Sequence, residues 1–202
     1  MKMLNLVPYS AANDSATSFE AFGSHGTCMS RAISISNSGF NLSAGGRRGS
    51  GAYFWYAKRA KCRYAYSLAE AWYKNSFRRN DYSKDDDPTG AVIWGSVSAP
   101  NSEVLDLESA YFRDTLREAL THHWSTINSK DQPEKEKLVS QIHELLIRKT
   151  HDVTPVSIVL ATVQQPPKMS DELLLYVGHP FAIIIRNLSC LEIDSEIEGI
   201  PA

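Results

Sequence analysis

Short runs of β-branched and aromatic residues, set apart by longer stretches with helical periodicity, restrict this chain of 202 residues to a mixed architecture. The strand-like runs are 52–56, 91–97, 156–163, 173–177 and 181–186, with a weaker one around 19–24 that leads into His25. Between them, residues 57–73 place Ala60, Tyr64, Leu68 and Trp72 at i, i+4 intervals, which makes one apolar stripe on a helix. Residues 109–124 and 134–149 read as two more amphipathic helices, joined by a polar, proline-containing link. Residues 74–90 have no period and many breakers, which is the pattern of a surface loop. The predicted fold is α+β: one domain over 1–202, with a helical insertion at about 108–150.

Composition narrows the function classes. An apolar share of 43% supports one good core, and a net charge of −2 gives no global pull toward nucleic acid or an anionic membrane. The three cysteines, Cys28, Cys62 and Cys190, are odd in number and widely spaced, so they suggest neither a disulfide framework nor a zinc knuckle. A reducing, cytoplasmic setting is the expectation. The N-terminal residues lack the sustained apolar core of a signal peptide, and no run approaches membrane-spanning length.

The usual signatures of phosphate, metal and nucleophile sites are incomplete in this sequence. The sequence GGRRGSGAYF at 45–54 exposes backbone N–H groups as a phosphate loop does, but it lacks the Gly-Lys-Ser/Thr ending and runs into a strand rather than a helix. His122 and His123 are adjacent and so point about 100° apart on a helix. His143, His151 and His179 have no partner at zinc-site spacing, and no metal is expected. Cys28 has no evident base, and Gly-x-Ser-x-Gly is absent.

What remains is an ordered set: His25-Gly26-Thr27 closing a strand, then ISNSGF ending at Phe40, then GSGAYFW with Gly51, Tyr53 and Phe54, then KCRYA with Tyr64. In that order the set resembles the poly(ADP-ribose) polymerase-like branch of the ADP-ribosyltransferases. The likeness covers roughly residues 19–107 well and about the last 50 loosely. It implies the ADP-ribosyltransferase fold, with split antiparallel or mixed β-sheets around an NAD cleft, and NAD⁺ as substrate. By the same resemblance, His25 hydrogen-bonds a ribose hydroxyl of the adenosine half, and the Gly26 backbone clamps the carboxamide. Tyr53 and Tyr64 sandwich the nicotinamide, with Thr27, Gly51 and Phe54 completing the binding set. A serine that often stands three residues before the second tyrosine is replaced here by Lys61.

The family also places a glutamate at the opening of a late strand, where a carboxylate stabilises the oxocarbenium character of the ribose carbon. One register, through ELLLYV, offers Glu172. The other, through AIIIRNLSCLEI, matches strand, turn and closing strand better, and puts Ala182 at that position. An introduced replacement of the acid, a natural NAD⁺-binding module, or Glu172 reaching in from the next strand would each account for the alanine. The leading expectation is a mono-ADP-ribosyltransferase acting on a macromolecular acceptor, protein or RNA/DNA, of the kind found among toxins and antiviral defence effectors. The helical insertion would serve target recognition or a neutralising partner such as an antitoxin. The alternatives are an NAD glycohydrolase and a catalytically dead NAD/ADP-ribose-binding module. A basic group of Lys58, Arg59, Lys61 and Arg63 with Arg47, Arg48, Arg78 and Arg79 would favour a nucleic-acid acceptor if it converged on the cleft.

Overall fold

The computed structural model describes residues 17–42, 46–167, 169 and 173–201. Seven strands form one mixed sheet, with β1 (Ser18–Cys28), β2 (Ala52–Ala57), β3 (Gly90–Pro100), β4 (Val104–Asp106), β5 (Ile158–Thr162), β6 (Phe181–Ile185) and β7 (Leu191–Gly199) in the order β4-β5-β6-β2-β1-β3-β7. All neighbours are antiparallel except β4 and β5. Five helices accompany it: α1 (Met29–Ser38), α2 (Arg63–Arg78), α3 (Ala110–Asn128), α4 (Gln132–His151) and the short α5 (Leu174–Val177). No described helix is long and apolar enough to cross a membrane.

The α+β expectation holds, and its details need three corrections. The sheet is continuous rather than split, because a ladder of only three residue pairs, Phe22↔Ala57, Gly23↔Tyr56 and Ser24↔Trp55, joins its two halves. Residues 173–177 contain a one-turn helix, not a strand. Among the described residues no strand ladder includes them, and Leu175 and Tyr176 are 90% and 85% exposed. Helix α2 begins at Arg63 and runs on to Arg78 through the segment expected to be loop. Its buried side is Ala65, Leu68, Ala69, Tyr73 and Ser76, so Tyr64 and Trp72 flank the contact instead of forming it.

Alternation sorts the strands into two faces. On one, Trp55, Ala57, Val92 and Trp94 pack under α2, while Leu105, Val159, Ala161 and Ile184 pack with Phe112 of α3 and Leu146 and Ile147 of α4. On the other, Ala52, Phe54, Ile158, Ile183 and Ile185 form a third cluster, and α1 covers Ala91 and Ile93 through Ala32. Helix α2 lies unusually close to β1. A Cβ added at Gly26 would sit 1.9 Å from the Ala69 carbonyl oxygen, and the Ser24 hydroxyl donates to the Ala65 carbonyl at 2.7 Å.

Gly26→Ala forces α2 off the sheet and is expected to cost about 3 kcal/mol, as overpacking of a tight contact does. Gly199→Ala meets no atom within 4 Å and is expected to change stability by less than about 0.5 kcal/mol. Urea unfolding of the two variants checks the contrast.

Candidate functional site

The candidate site lies where β1 and β2 part. Beyond the Ser24↔Trp55 pair the strands form no further ladder, and a side chain takes over: His25 Nδ1–H donates to the Tyr53 carbonyl oxygen at 2.8 Å. That bond fixes the tautomer, because a carbonyl can only accept. Burial, only partly opposed by the Tyr53 bond, lowers the pKa of the imidazole. Neutral His25 therefore presents a bare Nε2 acceptor. Phe40 meets its ring edge-on at 5.1 Å and Phe54 meets it tilted at 5.7 Å, so the ring has little freedom to turn. Phe54 is itself core, lying over Gly23, where an added Cβ would be 2.7 Å from its own.

The other sequence-chosen residues separate into those near this junction and those committed elsewhere. Tyr64 stands in the first turn of α2, next to Ala65, and is 39% exposed. Tyr53 follows directly on the glycine loop at 46–51. Its hydroxyl donates to the Gly49 carbonyl at 2.6 Å and accepts from the Arg48 N–H at 3.0 Å, and burial pushes the phenol up to about 12. Gly51 is pressed onto Ile184 and Ile185, with φ +150°. The missing side chain of Gly26 faces α2 rather than an open cleft. Thr27 is buried and hydrogen-bonded to Tyr82. Lys61 turns away, its ammonium ion-paired to Glu196 on β7.

Ala182 lies in a row of facing residues that crosses the sheet: Ala161, Ala182, Trp55, Ser24 and Trp94. It is 3% exposed, and the row contains no carboxylate. Glu172 lies outside the described residues. Two acids border the row: Glu198 accepts from the Trp94 indole N–H at 3.0 Å, and Glu108 accepts from the Thr162 N–H at 3.0 Å and the Thr162 hydroxyl at 2.7 Å, Thr162 pairing with Phe181, the residue before Ala182.

Sequence pattern missed the clamp on the glycine loop. Glu144 of α4 accepts from the Ser50 N–H at 2.8 Å and the Ser50 hydroxyl at 3.0 Å, takes both arms of Arg186 at 2.9 and 3.0 Å, and takes Arg148 at 2.8 Å. Burial works to raise its pKa, but Arg186, the Ser50 N–H and Arg148 prevail and hold the carboxyl at about 2. One residue earlier, His143 Nδ1–H donates to the Val139 carbonyl, so Nε2 accepts from Arg48 at 3.1 Å. Ser140 donates to the Gly46 carbonyl at 2.7 Å, and Arg47 pairs with Glu136. These partners are about ninety residues apart in the chain, and no local motif announces them.

The basic group does not gather. Arg47 and Arg48 are taken by α4 and Lys61 by β7, Arg79 pairs with Asp81, and Arg78 lies at the opposite end of α2 from Arg63. Among the described residues no three His, Cys, Asp or Glu side chains converge as metal ligands. Compared with known proteins, the chain matches no family model and no curated protein.

Acid stability follows from these groups. Folded His25 and His143 bind fewer protons than the unfolded chain below the ordinary value of 6.5, so stability falls as pH drops through and below 6.5. A second loss comes between 4.5 and about 2, as the Glu144 carboxylate is protonated. Glu144→Gln is expected to lower stability at neutral pH by about 2 kcal/mol and to shrink the second step, where Asp85 and Asp87 also contribute, while leaving the first. Urea unfolding across pH measures both.

Proposed function

We propose that the chain is an NAD⁺-binding protein of the ADP-ribosyltransferase class, built to transfer a single ADP-ribose to a macromolecular acceptor. The observation that carries this reading is the His25–Tyr53 bond at the end of the β1–β2 ladder. It leaves a fixed, neutral imidazole acceptor at the junction of two strands, with Phe40 behind it and Tyr64 at the head of the neighbouring helix. A ribose hydroxyl is the natural donor to such an acceptor, and Tyr64, 39% exposed, is the aromatic residue on which the nicotinamide would stack. The sequence order of these residues supports the same reading, and so does the strand order, which sets the His25 strand beside the Tyr53 strand and that beside the Ala182 strand.

In this reading NAD⁺ lies across the β1–β2 junction, held by His25 and stacked on Tyr64. Tyr53 acts through the loop that it closes: its phenol is occupied by Gly49 and Arg48, so its part is to hold the floor of the site. The step itself breaks the bond from ribose C1′ to the nicotinamide nitrogen. Nicotinamide leaves with the bonding electron pair, and the acceptor's nucleophilic oxygen or nitrogen forms the new bond to C1′ and gives up its proton. The positive character at C1′ calls for a carboxylate, and residue 182 supplies only a methyl group.

The chain as it stands is therefore expected to bind NAD⁺ and turn it over slowly. Binding without turnover is the second reading, and the carboxylate-free row around Ala182 favours it. A toxin or defence role with a neutralising partner, in the cytoplasm, goes with the first.

Calorimetric titration with NAD⁺ tests the binding half. His25→Gln is expected to weaken binding by about tenfold, the worth of one hydrogen bond of about 1.4 kcal/mol. Labelled NAD⁺ with cell lysate tests the transfer half. Ala182→Glu is expected to raise labelling by about a hundredfold or more. If both chains bind NAD⁺ and neither labels, the binding-module reading stands. If neither binds, both readings fail.

A further inference from the structure

A broad open groove of about 820 Å³ runs along one side of α3, from Glu108 at its head to Trp124 near its end. The candidate NAD⁺ site does not use it. Every described residue that lines it belongs to 108–124, so it is open along its length. Arg113, Arg117, Leu120 and Trp124 follow one another at helical intervals along its floor, and Asp114 lies beside them. Two features set the stripe apart. Trp124 is 52% exposed although it shares the groove with Leu120. Arg113 and Arg117, like Arg59, Arg63 and Arg78, have no ion pair among the described residues, but only these two stand in line with an exposed Trp on one helix face.

We propose that this groove binds single-stranded nucleic acid, with bases stacked on Trp124 and two successive phosphates on Arg113 and Arg117. The two arginines stand four residues apart, about 6 Å along the axis, the order of the spacing between neighbouring phosphates in an extended strand. Trp124 follows Arg117 by about 10 Å, which leaves room for bases to turn onto its face. An aromatic platform in line with guanidinium groups is the usual means of holding a single strand without reading its sequence.

The carboxylates bordering the groove refine the occupant. Glu108 is committed to Thr162, and Asp114 keeps further phosphates away, so contact is limited to about two. At its head, Glu108 accepts from the Thr162 hydroxyl, and Thr162 pairs with Phe181 on β6. In the transferase reading the bound strand is a candidate acceptor. Its role as acceptor rests on the ADP-ribosyltransferase reading; its binding does not.

The test is fluorescence anisotropy with labelled oligothymidylate and oligouridylate of about ten nucleotides, without NAD⁺ and at several salt concentrations. The expected result is micromolar binding to the intact chain, with a log–log salt slope of about −1.4 for two phosphates. Trp124→Ala and the double change Arg113→Ala, Arg117→Ala are each expected to weaken it at least tenfold, with melting temperatures unchanged. Binding of either oligomer with these dependences upholds the proposal, and the tighter one names the sugar. Three results overturn it: no binding up to roughly 100 μM, binding indifferent to both variants, or equal competition by polyglutamate, which would mark the groove as a site for acidic protein segments. NAD⁺ is absent from the titration, so failure here leaves the NAD⁺ reading standing, and failure of NAD⁺ binding leaves this result standing.

Discussion

The β1–β2 ladder is three pairs long, and beyond it the Tyr53 carbonyl is taken by the side chain of His25. Much else in the site depends on that substitution of a side chain for a strand. It keeps the two halves of the sheet in register where backbone pairing has ceased. It also determines which imidazole nitrogen carries the proton, and so makes Nε2 an acceptor at neutral pH. Packing preserves the arrangement: Phe40 and Phe54 hold the ring, and Gly23 makes space for Phe54. A bulkier residue at 23 would displace Phe54 and, through it, His25.

The second constraint is imposed from outside the sheet. Helix α4 grips the loop before β2 through Glu144, His143 and Ser140, and the loop in turn grips the Tyr53 hydroxyl. Ion pairs of this kind are worth little when exposed, whereas removing one partner of a covered pair is costly because the other charge is left unpaired. Here Glu144 and Arg186 are both largely covered and bonded through two parallel contacts. The helical insertion thus forms part of the site's framework as well as its outer surface. Its other helix, α3, carries the open groove.

Several features were legible in the residues. The apolar runs at 52–56, 91–97 and 181–186 became strands because their β-branched and aromatic side chains fill a sheet buried on both faces. His25 lies on a strand and Tyr64 on the following helix as expected, but β1 runs on to Cys28 and α2 begins only at Arg63, which puts Tyr64 in its first turn. Other features were not legible. The run at 173–177 has the composition of a strand, but composition cannot say whether a partner strand exists. The stripe on α2 was misjudged by one residue because Ala65 and Ala69, small enough to let the helix approach Gly26, carry less apolar weight than Tyr64 and Trp72. The glycine loop lacks a phosphate-loop ending and reads as a plain loop, with Gly51 singled out only by the resemblance; close approach to α4 and β6 accounts for the glycines at 49 and 51. The Glu144 clamp joins residues about ninety apart and depends on tertiary structure alone.

Histidine tautomers can be read directly by ¹⁵N NMR of a chain labelled at its imidazoles. At neutral pH the His25 ring should be neutral, with a protonated Nδ1 and a bare Nε2, and added NAD⁺ should shift the Nε2 signal while leaving Nδ1 nearly in place. A ring protonated at Nε2, or an Nε2 signal indifferent to saturating NAD⁺, would contradict the assignment of this strand junction as the ribose-binding point.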